Sequence, residues 1–139
     1  MDMSFGKFKG KSVAWVFLNH PEYFQWMNGN DMQNKKDYQF MLGLKEKLNE
    51  MPFSSAICCY CKNTATRLSL YKGQFNGGYW FCGSCELDSK GANQGYLTGI
   101  STYDEFVNGK NNRLSLAYYN AKGVPEQKTK SALKYYFGY

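Results

Sequence analysis

The chain has 139 residues, a net charge of +6 and an aromatic share of 18%. Leu, Ile, Val and Phe supply only 27 of these residues. The modest charge and the many Tyr, Trp and Met side chains still place the chain in the folded class, with a thin, aromatic-rich core. No run approaches the ~20 apolar residues of a membrane span, and Met1-Asp2-Met3-Ser4-Phe5-Gly6-Lys7 lacks the apolar stretch of a signal peptide, so a cytoplasmic protein without a membrane partner is expected.

In chain order, Phe5-Gly6-Lys7-Phe8-Lys9-Gly10-Lys11 opens the sequence with an alternating run between two glycines. It predicts a bent strand or tight hairpin, with Lys7, Lys9 and Lys11 sharing one face if extended. Val13 to Leu18 follows, and then Pro21, which suits the first turn of a helix with Glu22 favourable to its dipole. Tyr23, Trp26 and Met27 form one helical stripe, and Tyr23 and Trp26 are expected in the core. Residues 31–51 predict a longer amphipathic helix with Asp31 as N-cap, an apolar stripe of Tyr38, Met41, Leu44, Leu48 and Met51, and Pro52 as the stop.

Thr64 to Tyr71 alternates and is rich in β-forming residues, Gly73 to Gly78 predicts a turn, and Tyr79-Trp80-Phe81 a second strand. Residues 88–99 predict a polar loop. Beyond it the chain reads as helical. Ser101 or Thr102 can cap a short turn, and Ser101 with Asp104 approximates a capping box; a helix is expected from about Asn112 to Lys122 with Gly123 as its stop, and a last helix is expected to open at Pro125 and end at Gly138. Ala117, Gly123, Val124 and Leu133 faintly trace a helix-turn-helix, with Lys128, Lys130 and Lys134 on the second helix; a packed hairpin with a solvated basic face accounts for the same residues.

Two of these segments are joined by cysteines. Cys58-x-x-Cys61 and Cys82-x-x-Cys85 stand 20 residues apart, on either side of the two predicted strands. A Cys-x-x-Cys knuckle turns two thiolates to one side, and two facing knuckles give the four-sulfur tetrahedron of a structural zinc site. Disulfides rarely persist in a reducing compartment, so Zn2+ is favoured over two disulfides or free thiols. Cys59 is the fifth cysteine. Cys59-x-Cys61 is tighter than the usual knuckle, so Cys58 is the expected ligand and Cys59 a spare packed thiol. His20 is an alternative ligand, although a lone His before Pro more often serves a turn.

Charge is unevenly spread. Residues 58–85 contain no acid, and residues 110–139 carry +5. A basic chain of this kind fits an anionic partner, nucleic acid first. Lys7, Lys9, Lys11, Arg67, Lys72, Lys128, Lys130 and Lys134 are the candidate contacts. Catalysis is not expected. The acids are scattered, Asp104-Glu105 fits a helix first turn, only one His exists, and no phosphate-binding glycine loop is present.

The residues Phe5-Gly6-Lys7-Phe8-Lys9-Gly10, followed after a gap by Pro21, Tyr23 and Trp26, resemble the small C-terminal module of exodeoxyribonuclease X-like proteins, which also occurs in phage and prophage proteins. The resemblance covers residues 5–26. It implies association with nucleic-acid-processing machinery but no nuclease activity, because the family's catalytic domain is a separate unit. It supports a phage- or prophage-encoded, non-enzymatic zinc protein that binds nucleic acid. The alternative is an inhibitor of the anti-CRISPR type that binds a host nucleoprotein and blocks nucleic-acid loading.

The expected fold is α+β: a β-turn-helix module and long helix (1–52), a zinc-ribbon hairpin (53–95) and a basic helical tail (96–139), packed as one compact unit.

Overall fold

The computed structural model describes residues 1–54, 56–71, 79–82, 85, 97–108 and 112–139. The expected turn at Gly73–Gly78, Lys72, and residues 88–96 of the expected polar loop lie outside the described residues. The architecture is α+β, as the sequence predicts, with a small antiparallel sheet and helices on either side of it in the chain. The chain divides into two compact units, Met1–Glu50 with Pro125–Tyr139, and Met51–Val124, so the expected tail 96–139 is split between them.

The first unit begins with a closed loop. An isolated bridge pairs Asp2 with Ser12, and the Met3 amide donates to the Lys11 carbonyl at 2.7 Å. Between these ends the chain is a series of turns, with Gly6 (φ +75°) and Gly10 (φ +88°) in the left-handed region that glycine enters without penalty. The tight hairpin is therefore present, but the extended run that would put three lysines on one face is not.

Helix α1 (Val13–Asn19) follows, capped by the Ser12 hydroxyl, which accepts from the Trp15 amide. Seven residues rarely hold a helix in water. Here Val13, Ala14, Val16, Phe17 and Leu18 are all buried, and α1 contacts α2 (Pro21–Gly29), α3 (Lys36–Glu50) and the C-terminal helix of the chain. A helix apolar on nearly every side belongs at the centre of its unit.

Pro21 occupies the first turn of α2 as expected. Tyr23 and Met27 are buried, but Trp26 is 45% exposed, so it is not a core residue. The stripe is narrower than its periodicity implied: Trp26 stacks on the buried Tyr23, with ring centroids 5.3 Å apart, and does not itself enter the interior. Helix α3 starts five residues later than expected. Asp31 is no cap: it sits at φ +56°, a left-handed conformation that short polar side chains tolerate. Tyr38, Met41, Leu44 and Leu48 are buried as predicted, and Met51 falls beyond the helix end. Asp37, buried in the first turn, accepts from the Ser4 amide and hydroxyl at 3.0 and 2.9 Å, which ties the N-terminal loop to α3.

The second unit is built on a sheet of order β2-β1-β3, with β1 (Arg67–Tyr71) central, β2 (Tyr79–Phe81) and β3 (Leu97–Ile100) antiparallel to it. The first two strands are those the sequence predicts. The third falls at the end of the expected polar loop, where Leu97 and Ile100 are its only aliphatic residues. Leu68 pairs with Trp80 on one side and Ile100 on the other, so these three share a face. Against Trp80 lie Phe53 (5.4 Å) and Phe106 (6.4 Å), and Phe106 stacks on Tyr118 at 4.5 Å. With two isoleucines in the whole chain, stacked rings take the place of aliphatic packing.

Helices α4 (Tyr103–Asn108) and α5 (Asn112–Ala121) complete this unit. Behind α5, Gly123 adopts φ +78° and ends the helix as expected. Lys122 is nearly buried, donates to the Met51 carbonyl, and holds its ammonium 4.2 Å from the Phe53 ring centroid and 5.6 Å from that of Tyr118. Burial pushes its pKa down.

The last helix, α6 (Lys130–Phe137), returns to the first unit, where Leu133 and Phe137 are buried. Thr129, not Pro125, opens it: the Thr129 hydroxyl accepts from the Ala132 amide at 3.2 Å. Residues 122–129 separate α5 from α6, too many for the 3–4-residue turn of a helix-turn-helix. The two helices also belong to different units, so that expectation is withdrawn.

Candidate metal centre and basic clefts

The first knuckle is made by a short hairpin. Ile57 bridges Thr64, the Cys58 amide donates to the Asn63 carbonyl at 2.7 Å, and the Lys62 amide donates back to the Cys58 carbonyl at 3.1 Å. Reversing the chain this sharply puts Lys62 at φ +65°. The Cys59 amide donates to the Trp80 carbonyl at 2.9 Å, which fixes the knuckle against the end of β2, from which Cys82 follows directly.

The result is one cluster. The sulfurs of Cys58, Cys61, Cys82 and Cys85 all lie within 4.8 Å of one another, and those of Cys61 and Cys82 are 3.6 Å apart. Sulfurs on a tetrahedral ion at ~2.3 Å would stand roughly 3.8 Å from each other. All five cysteines are free thiols. Burial opposes ionisation of Cys58, but backbone amides of Cys61, Cys82 and Tyr60 donate to its sulfur and bring its pKa down to about 6. The Cys85 thiol is held above its ordinary range, first by its hydrogen bond with Cys82. Four anionic sulfurs this close repel one another, and a divalent cation among them removes the conflict. The residues present therefore fit a metal ion.

Cys59 lies outside the cluster and is exposed, not packed. It stands in the knuckle's turn, with its side chain on the surface. His20 belongs to the other unit. Its ring packs on Phe8 at 4.5 Å and its Nδ1 lies 2.9 Å from Glu22 Oε1. It is a turn residue held in an aromatic cluster.

The proposed binding residues fall into separate groups. Lys11, Lys128 and Lys130 line one cleft of about 320 Å3, together with Gly10, Ser12 and Trp15. Lys11 also lies 5.7 Å from the Trp15 ring centroid, and Lys130 pairs with Asp2 at 3.0 Å. Lys7 lines a second cleft with Gly6, Glu22, Tyr23 and Trp26. Lys9 and Lys134 are exposed but line neither of these clefts, and Arg67 is half-buried on β1 in the other unit. The bent loop explains the division of Lys7 from Lys11. The meeting of Lys11 with Lys128 and Lys130, from opposite ends of the chain, has no local sequence signal.

Among the described residues no helix is long and apolar enough to cross a membrane. Comparison with known proteins finds no matching family model, curated protein or solved structure.

Proposed function

We propose that the chain is a non-catalytic protein, held together by structural zinc, that binds single-stranded nucleic acid through its first unit. Four thiolates in a closed tetrahedral site suit zinc, and such a site leaves no position for an activated water.

The observation that carries the binding role is the cleft of Lys11, Lys128 and Lys130 beside Trp15. Lysines neutralise phosphates, and a half-buried indole at the same cleft offers a face on which an unpaired base stacks. Duplex DNA hides its base faces, so this pairing of charge and ring favours single strands. The resemblance of residues 5–26 to a module of nucleic-acid-processing proteins points the same way.

Fluorescence anisotropy with a twelve-nucleotide oligo-dT tests the reading. Three phosphate contacts on a single strand give a slope of about −2 in log K against log salt, hence roughly 20-fold weaker binding at 200 mM than at 50 mM salt. Replacing Lys11, Lys128 and Lys130 by Gln flattens that dependence. No binding at 50 mM salt overturns the proposal. Capture of a host nucleoprotein from nuclease-treated lysate by a chain that binds no oligonucleotide favours the inhibitor role instead.

A further inference from the structure

The second cleft differs in chemistry from the first. It measures about 550 Å3 and is lined by Gly6, Lys7, Glu22, Tyr23 and Trp26. Trp26 is 45% exposed, whereas Tyr23, Phe24 and Met27 on the same helix are buried. Its ring is nearly parallel to that of Tyr23, at 23°. The cleft therefore has an aromatic wall open to solvent. It also has a cation at Lys7 and an acceptor-only carboxylate at Glu22. His20 Nδ1, 2.9 Å from Glu22 Oε1, orients that carboxylate.

We infer that this cleft is a nucleobase subsite that prefers guanine. The inference rests on the nucleic-acid reading above and deepens it. A base stacks on Trp26, Lys7 meets the adjoining phosphate, and Glu22 reads the base edge. Guanine alone presents two neighbouring donors, N1–H and the 2-amino group, which a carboxylate accepts together. Adenine and cytosine set a ring acceptor beside their amino group, and thymine flanks its single N–H with carbonyls. Each of those opposes an acceptor to an acceptor. The two clefts share one loop. Lys7 and Lys11 are four residues apart, so their Cα atoms are within about 14 Å, a span that a short single strand covers.

The test compares oligo-dT with the same strand carrying one central dG, dA or dC, by anisotropy at 50 mM salt. One dG tightens binding about tenfold, as a bidentate base contact does, while dA and dC do not. Glu22→Gln abolishes the dG advantage while oligo-dT still binds. Trp26→Ala weakens every strand several-fold, and Trp26→Phe restores part of the loss. If oligo-dT binds with the expected salt dependence but dG gives no advantage, or Glu22→Gln leaves that advantage intact, the subsite is overturned and the general binding role stands. If oligo-dT does not bind at all, both fall.

Discussion

Gly6 and Gly10 share a positive φ but not a neighbourhood. A Cβ at Gly6 would run into the Tyr23 hydroxyl, whereas one at Gly10 meets open space. Gly10→Ala should cost about 1–2 kcal/mol for left-handed backbone alone. Gly6→Ala should cost more, because Tyr23 must also move. Urea midpoints of the two variants check the order, and equal losses would show that the Tyr23 contact carries no weight. Lys122 presents a comparable contrast. Its buried ammonium lies over two rings and donates to the Met51 carbonyl. Lys122→Ala should lose about 2 kcal/mol of stability, and Lys122→Met, which keeps the stem, distinctly less; chemical denaturation measures both.

At the element scale, α4 has a reciprocal cap. Glu105 Oε1 accepts from the Thr102 amide at 3.1 Å and the Thr102 hydroxyl at 2.9 Å, and the Glu105 amide donates to the Thr102 hydroxyl at 3.4 Å. Burial opposes ionisation of Glu105, but these donors and those of Ser101 outweigh it and lower its pKa. The unfolded chain then takes up the proton first as pH falls, so this contribution is full above pH 4.5 and disappears below it. Thr102→Ala should cost about 1 kcal/mol at pH 7 and less at pH 3, as urea midpoints at the two values would show. The same cap shows how far local patterns reach. Ser101 with Asp104 and Thr102 with Glu105 fit one spacing, but Asp is too short to reach back, so the structure uses the second pair. Pro21, Gly123 and Gly138 marked helix ends because their backbone preferences are intrinsic. Pro125 misled, because a proline suited to a first turn does not oblige a helix to start there, and Thr129 supplies the cap. Strand β3 was hidden because four residues with two aliphatics carry little periodic signal, and its pairing with β1 is a long-range choice.

For the whole molecule, the cysteine spacing was legible because metal chemistry restricts the positions of four ligands. The basic cleft was not, because Lys11 and Lys128 meet only through folding. The tyrosine-rich core has its own signature. Burial raises the pKa of Tyr23 and Tyr103, and takes Tyr136 to about 12. The unfolded chain therefore loses these protons first, near pH 10, and stability should fall as pH rises from there. Urea midpoints between pH 8 and 11.5 would show this, with Tyr136→Phe reducing the slope.

Metal binding should matter more than any of these contributions. Zinc contributes ~10–16 kcal/mol in small zinc domains, against ~5–15 kcal/mol for the net stability of a typical domain. The most direct measurement is elemental analysis of the purified chain, paired with hydrogen exchange before and after complete chelation. The account predicts one zinc per chain, with protection lost on its removal in residues 56–71 and 79–82, next to the ligands Cys58, Cys61, Cys82 and Cys85. A chain that contains no metal, or one whose exchange is unchanged once the metal is gone, would contradict it.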